Sequence, residues 1–571
     1  MSAVLTAQEP SAKYLVNLQP PLVRHFDLIA QAPGGVARLR ELILTLAVQG
    51  KLVPQDPSDE PASELLKKIR AEKDRLIAEG KIKRDKPLAE IADEVKPFEL
   101  PNGWIWTSLA AVGIINPRND AADETVASFV QMSSIPIQFS EAHDVEPRPW
   151  SAIKSGFTHF AEGDVGVAKI TPCFENGKST VFRNLSNRIG AGTTELHIVR
   201  PLGGIDPRYV LLFLKTPTFL KEGEAVMTGS AGQKRLPRNY FENKPFSLPP
   251  LAEQSRIVTR VEELMQLCDA LEASGQLEAQ QHAQLVNTLL GTLIQSETPE
   301  AQADNWQRIA IHFDVLLDRP EAVDALEQTI LQLAVRGLLV PQDPTDEPAS
   351  VLLQKIRTEK DHLIAQGKIK RDKPLPPITD EEKPFELPKG WEWARFGQIA
   401  NIASNLVPPS LHAEKWQVAP DCIEKATGRL LHKRTVAQAE IVSPNHLFKS
   451  GQLLYSKIRP SLSKAVLVDF EGLCSADMYP IESPLDMEFL LLYILSEPFL
   501  EQVSIAENRV KMPKLNQEAL VAFMVALPPL VEQTKIVKRV NKLRGLCADL
   551  RQRLTAGQAA QSHLADALVT G

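Results

Sequence analysis

The chain has 571 residues, 43% hydrophobic and 24% charged, with a formal net charge of −7; that length calls for two or more domains, and no apolar run reaches the ~18 residues of a membrane span. Five scattered cysteines form no CxxC pair, which argues against a disulfide framework and a structural zinc site. The N-terminus lacks the basic-then-apolar pattern of a secretory leader, so a reducing cytoplasm is the expected compartment.

Residues 1–24 read as an N-terminal arm, and residues 25–106 as a first framework repeat. Within it, leucine and isoleucine at helical spacing predict a helix over Ala37–Val48, closed by Gly50. The proline-punctuated turn VPQDPSDEPAS follows, with Ser63 placed to cap a second helix, Glu64–Ala78, that ends at Gly80. The run KIRAEKDRLIAEGKIKRDK alternates acids and bases, as a solvated helix face does. Residues 107–246 form a first insert of mixed α/β character. There Phe160–Pro172 (FAEGDVGVAKITP) sets a glycine-containing turn before an apolar strand ending in Lys-Ile-x-Pro, and Tyr209–Leu220 reads as one helix.

From Ser247, SLPPLAEQ opens the longest helical pattern in this half, residues 247–295. Ile257, Val261, Leu264, Cys268 and Leu271 follow the 4,3,4,3 spacing of a coiled-coil seam, which resumes at Leu285 and Leu289. Some 40 residues at 1.5 Å rise give a rod of about 60 Å. Residues 296–311 are expected to be a linker.

The pattern then begins again. His312–Trp393 aligns with His25–Trp106 without a gap at an offset of 287, with 55 of 82 positions identical, and both copies close on KPFELP-x-GW-x-W. This second framework repeat, 312–393, again opens on a helix, Ala325–Val335, before Gly337. A second insert, 394–525, repeats the strand and helix themes at Phe448–Pro460 (FKSGQLLYSKIRP) and Phe489–Leu500. ALPPLVEQ, from Ala526, matches the Ser247 block at an offset of 279 and opens the second long helix, 526–571. Its seam runs through Ile536, Val540, Leu543, Cys547, Leu550 and Leu554, and resumes at Leu564 and Leu568. Neither helix buries such a stripe alone, so the two are expected to pack along each other. Two near-identical frames hold two diverged inserts, an internal tandem duplication.

The LAVQGKLVPQDPSDEPASELLKKI block, the GW-x-W motif, the LPPLAEQ-x-x-IV exit into a long helix and the twofold repeat resemble type I restriction–modification specificity subunits, over roughly Leu22 to Leu568. The resemblance implies an α+β fold of two target recognition domains joined by two long helices in an antiparallel coiled-coil spacer. It implies a non-catalytic, DNA-binding subunit that reads a bipartite target. The implied partners are double-stranded DNA, two methyltransferase subunits using S-adenosylmethionine, and two motor-nuclease subunits using ATP and Mg2+. This chain is expected to hold no cofactor or metal itself.

The residues agree with that assignment. NGKST around Lys178 resembles the tail of a phosphate-binding loop, but Pro172 replaces the glycine such a loop requires. No methyltransferase tetrapeptide, glycine-rich cofactor loop or HExxH occurs, and Glu242 and Lys244 make only an isolated ExK. The candidate DNA contacts are the recurrent lysines of the Lys-Ile-x-Pro turns, Lys169 and Lys457, with Arg459 beside the latter. A late basic cluster joins them in each insert: Gln233, Lys234, Arg235 and Arg238 in the first, Arg509, Lys511 and Lys514 in the second. Such groups clamp phosphates or reach guanine edges. Asn239 and Tyr240, and Asn516 and Gln517, follow directly as candidate adenine readers. The inserts are near neutral, with 15 basic and 14 acidic residues over 107–247 and 13 against 14 over 394–526. That balance keeps open a competing reading, a non-enzymatic protein–protein adaptor with two variable binding inserts.

Overall fold

In the computed structural model, which describes residues 28–82, 91–230, 232–296, 298–367, 374–507 and 514–570, each framework repeat starts from an amphipathic helix. The chain divides into two units, residues 1–277 with 558–571, and residues 278–557. The expected N-terminal arm lies outside the described residues. Among the described residues no single helix is long and apolar enough to cross a membrane.

In the first unit, α1 (Gly35–Val48) buries Leu39, Ile43, Leu44 and Ala47. It stops at Gly50, whose φ of +68° suits glycine and where a Cβ would collide with Pro101. The next helix, α2 (Ala62–Ala78), starts earlier than expected. Pro61 is its N-cap and Ser63 lies inside the first turn without capping it. The Ala62 N–H is already bonded to the Gly103 carbonyl at 2.8 Å, and this tertiary bond fixes the start.

The insert hangs from an antiparallel pair, β1 (Ile105–Ser108) with β10 (Pro245–Leu248), in which Thr107 stands opposite Phe246. Between them lie two four-stranded sheets. One has the order β2 (Gly113–Ile115), β9 (Leu196–Pro201), β6 (Val165–Ala168), β7 (Ser179–Val181). The other runs β4 (Glu146–Pro149), β3 (Val126–Val130), β8 (Ile189–Gly192), β5 (Thr158–Ala161). The stretch expected to be one helix at Tyr209–Leu220 is two, α3 (Pro207–Leu214) and α4 (Pro217–Val226). Pro217 cannot continue a helix, and the Thr216 hydroxyl caps the new one by accepting from Phe219 N. A short helix, α5 (Arg238–Asn243), precedes β10, and α6 (Leu251–Ile294) runs 44 residues from the LPPL exit.

The second unit repeats this plan. The segment expected as a linker is largely helical: α7 (Pro299–Ile311) is capped by Thr298, whose Oγ1 accepts from Ala301 N at 3.1 Å. Helices α8 (Pro320–Val335) and α9 (Ala349–Ala365) form the framework. The pair β11 (Glu392–Arg395) and β21 (Met524–Leu527) carries the insert, with Ala394 opposite Val525. The insert has a four-stranded sheet, β12 (Asn401–Ile402), β20 (Met478–Glu482), β17 (Leu453–Ser456), β18 (Ala465–Leu467). Its five-stranded sheet is β13 (Leu406–Val407), β16 (Asn445–Phe448), β19 (Gly472–Cys474), β14 (Trp416–Val418), β15 (Arg434–Thr435). The helix expected over Phe489–Leu500 is likewise broken, into α10 (Met487–Ile494) and α11 (Glu497–Glu507), bent by 56°. The chain finishes through α12 (Gln517–Ala522) and α13 (Leu530–Thr570), 41 residues long.

Along α6, Ile257, Val261, Leu264 and Cys268 are buried in the core of the first unit and Leu271 packs against it. Along α13, Ile536, Val540 and Cys547 are buried in the core of the second, with Leu543, Leu550 and Leu554 packed against it. The expected resumption of the seam holds at Leu289 and Leu568, which pack against the cores, but is displaced at its first position in each helix. Leu285 and Leu564 are about half exposed, whereas Val286, Leu290, Leu293 and Ala565 are buried. A straight helix drifts ~20° per heptad from a strict seven-residue repeat, so four heptads after Ile257 the apolar stripe has moved by nearly one position.

Candidate nucleic-acid interface

Buried polar groups fix how each insert is mounted. The two consecutive polar residues of the LPPL-x-EQ exit, Glu253 and Gln254, are almost fully covered, as are Glu532 and Gln533. The Glu253 carboxylate accepts from Trp104 Nε1 at 2.9 Å and from Gln55 Nε2 at 3.2 Å. The Glu532 carboxylate accepts from Trp391 Nε1 at 3.0 Å and Gln342 Nε2 at 3.2 Å. Gln254 and Gln533 each accept, at 3.0 Å, from the N-cap residue of the central insert helix, Asp206 N and Asp486 N. The exit motif, the GW-x-W motif and the VPQDP turn are therefore three parts of one hydrogen-bonded lock. Reading them as separate repeat markers missed that chemistry, although the paired Glu-Gln beside a proline run was its visible trace.

The two basic groups singled out in each insert come together. In the first, Lys169–Thr171 forms a short bridge with Lys234–Leu236: Leu236 N donates to the Lys169 carbonyl at 2.7 Å and Thr171 N to the Lys234 carbonyl at 3.0 Å. Lys169 N in turn donates to the Glu195 carbonyl at 2.9 Å. In the second insert, Leu515 N donates to the Lys457 carbonyl at 2.8 Å, Lys457 N donates to the Asp477 carbonyl at 3.0 Å, and Ile458 bridges Lys514. One backbone pattern thus recurs with different side chains. Arg509 and Lys511 lie outside the described residues.

Acids missed in the sequence sit inside both junctions. Arg235 holds the Glu195 carboxylate through Nε and Nη2 at 3.0 and 2.9 Å, and keeps its pKa below the usual carboxylate range. Lys514 pairs with Asp477 at 3.1 Å. Beneath them, the opposite partners are His197, whose Nε2 donates to the Leu236 carbonyl at 3.0 Å, and Tyr479, whose hydroxyl donates to the Leu515 carbonyl at 3.0 Å. Burial pushes His197 down to about 4, so its ring is neutral at pH 7. The Lys457 ammonium lies 5.3 Å from the Tyr479 ring centroid, and Arg459 is exposed on a left-handed backbone, φ +44°.

The remaining candidates separate into used and open groups. Arg238 pairs with Glu242 at 2.8 Å and Lys244 pairs with Glu222, so the ExK residues are engaged with different partners. The Asn239 side chain accepts from Asn243 at 2.8 Å, and the Tyr240 hydroxyl turns inward to the Phe219 carbonyl at 2.8 Å. Asn516 is the N-cap of α12, accepting from Ala519 N at 2.8 Å, and Gln517 is the first residue of that helix. Gln233 and Lys234 are exposed, and Lys169 is half-buried.

Among the described residues one set of potential metal ligands occurs, Asp421, Cys422 and His432, with ligand atoms within 4.8 Å of one another. Arg434 occupies the Asp421 carboxylate at 3.1 Å and burial pushes the Cys422 thiol up. A ligating cysteine must lose its proton, so both features oppose a cation there.

Known proteins resemble this chain over nearly its whole length. A model of the type I restriction modification DNA specificity domain matches residues 388–556. The type I restriction enzyme EcoAI specificity subunit of Escherichia coli is 45% identical over 553 residues, covering 94% of this chain and 93% of its own. The EcoEI specificity subunit of the same organism is 44% identical over 556 residues, with the same shares covered. Among solved structures, a chain from work on "complex assembly and conformational transition of the type I R-M system" aligns with a TM-score of 0.52 at 17% identity. That alignment covers 83% of this chain and 98% of the solved one, and it bears on the fold.

Proposed function

Because the chain belongs to the specificity subunits of type I restriction–modification enzymes, we propose that its two inserts are target recognition domains, each reading one half of a bipartite DNA site. The subunit is the non-catalytic, DNA-recognising component of its complex. In the proposed assembly the framework repeats dock two methyltransferase subunits, which bring S-adenosylmethionine, and two motor-nuclease subunits, which bring ATP and Mg2+. The two long helices, paired antiparallel, set the spacing between the half-sites, and the complex works in the cytoplasm.

The observation that carries this reading is the repeated junction. Two inserts with diverged side chains reproduce one backbone arrangement, each on the same hydrogen-bonded lock. Framework contacts position a protein on the duplex, whereas side chains at base edges specify sequence. A reader of two different half-sites needs identical mounts and different faces, and that is the arrangement present.

The test is duplex binding by this chain together with its methyltransferase subunit across a salt series, with methylation-site sequencing of the reconstituted enzyme. Salt-dependent, sequence-specific binding and a motif of two specified blocks around a fixed gap are expected. A complex that assembles yet shows no sequence preference would overturn the reading and favour a protein–protein adaptor. The chain alone is expected to transfer no methyl group.

A further inference from the structure

The turn between β7 and β8 of the first insert holds one arginine unlike the others there. Asn187 and Arg188 are consecutive non-glycine residues in the left-handed region, φ +48° and +62°, and Asn184 shares that conformation at +55°. Such a backbone is costly for side chains other than glycine and persists where the surroundings enforce it. Here they do. The Glu162 carboxylate accepts from Asn184 N at 3.1 Å and Leu185 N at 3.0 Å, and Glu162 N donates to the Arg188 carbonyl at 3.0 Å. Ser186 N donates to Ser128 Oγ at 2.9 Å and Asn187 Nδ2 to the Val126 carbonyl at 2.9 Å.

This clamp leaves the Arg188 side chain exposed. The other arginines of the insert, Arg118 excepted, pair with carboxylates, and Arg118 lies beside the His159 ring, 3.4 Å from Nε2, on a backbone of ordinary conformation. Among the described residues Arg188 has no hydrogen-bonding or ion-pairing partner for its guanidinium. Its nearest acid in the clamp, Glu162, spends both carboxylate oxygens on backbone N–H groups. A phosphate contact needs only a positive charge, which a lysine on relaxed backbone supplies. A strained, clamped turn adds a fixed direction, and direction matters where a planar fork must meet the O6 and N7 of guanine. We propose that Arg188 reads a base edge, in the manner of an arginine–guanine pair, within the half-site addressed by the first insert. The inference rests on the DNA-reading function proposed above.

The experiment uses the full chain assembled with its methyltransferase subunit, and compares the parent with R188A, R188K and R188G. Competition binding against duplexes varied one base pair at a time is combined with methylation-motif sequencing and thermal melting. R188A and R188K are both expected to lose roughly ten- to a hundredfold of the discrimination at one base pair, with the other half-site unchanged. R188G suits the left-handed backbone and is expected to melt no lower than the parent while losing the same discrimination. A parent with a defined bipartite motif that all three variants retain overturns this inference alone. So does uniform weakening by R188A that R188K restores, which marks a phosphate contact. Loss of recognition at both half-sites with lowered melting in every variant, R188G included, assigns the turn a structural role and also overturns it. A parent with no sequence preference overturns the functional reading, and this inference with it.

Discussion

Glu253 is expected to be the residue on which the first framework lock depends, and its two simplest replacements should behave differently. The side chain is 1% exposed and accepts from both Trp104 Nε1 and Gln55 Nε2. E253A leaves the buried Trp104 Nε1 without an acceptor, whereas the exposed Gln55 amide keeps the Gly50 carbonyl at 2.6 Å, so a loss of about 1–3 kcal/mol is expected. That is a large share of the ~5–15 kcal/mol that a typical domain has. E253Q retains one oxygen for the indole and should lose less, about 1 kcal/mol at pH 7.

The pH dependence separates the two effects further. Burial, opposed by the hydrogen bonds from Trp104 and Gln55, raises the Glu253 pKa above its usual 4.5. The folded chain then binds more protons than the unfolded one between pH 4.5 and that raised value, so this group's contribution is fully present at low pH and is lost as pH rises. The stability of the parent relative to E253Q should therefore grow as pH falls toward 4.5. Urea unfolding followed by tryptophan fluorescence reads both quantities, since Trp104 is itself in the lock. The matched variant E532A reports on the second unit. An E253A protein within 0.5 kcal/mol of the parent, or a parent advantage that grows with rising pH, would refute the reasoning.

The triple replacement K234A/R235A/R238A should weaken recognition of one half-site, and R509A/K511A/K514A the other, each flattening the salt slope by about one unit per lost phosphate contact; parent-like binding by both would reduce these clusters to surface charge. Lys215 donates to the carbonyls of Ile137 at 2.8 Å and Gly177 at 2.9 Å, and burial pushes it down to about 7. Between pH 7 and the unfolded value of 10.5 the unfolded chain binds the extra proton, so the parent should gain stability over K215M as pH rises through that range. A pH-independent gap in melting temperature would count against it. Four residues inserted after Gly275, where residues 272–281 are exposed, lengthen α6 by roughly 6 Å, so the gap between specified blocks should grow by about one to two base pairs of 3.4 Å. Motif sequencing that finds an unchanged gap with full activity would withdraw the spacer proposal.

What was legible in the sequence is what periodicity and self-comparison record. The framework helices, the long helices beginning at LPPL and the glycine turn before each Lys-Ile-x-Pro strand all appear in the structure. Boundaries set by tertiary bonds were not legible: the bond from Ala62 N to the Gly103 carbonyl moves the start of α2, and no local pattern announces it. The break at Pro217 was in principle visible, but the apolar run through Phe219 and Leu220 masked it. The candidate site shows the same division. Basic residues at recurrent positions could be named, whereas their bridging across 65 residues of chain, from Lys169 to Lys234, could not. Nor could their acidic partners, because Glu195 and Asp477 carry no motif. Arg188 is not legible in the sequence because its distinction lies in backbone angle and in the lack of a partner among the described residues, and neither is written in residue type.

The acids in the junctions also bear on the net charge of −7, which sits awkwardly with DNA binding. Non-specific affinity comes from counterion release and grows with each unopposed cation laid along the backbone. In both junctions a basic side chain is instead paired, Arg235 with Glu195 and Lys514 with Asp477. Each pair lowers the charge available to any duplex, while its hydrogen bonds hold the base in one orientation. On the proposed reading, a reader built this way would give up sequence-independent attraction and keep directed contacts, and its partner subunits would supply the general affinity for DNA. The chemical differences between the junctions fit the same logic. His197 and Tyr479 make one hydrogen bond to equivalent carbonyls with unlike side chains, so the backbone mount is preserved while the groups around it differ. The proposed recognition of two different half-sites requires that freedom, and the duplicated backbone would permit it.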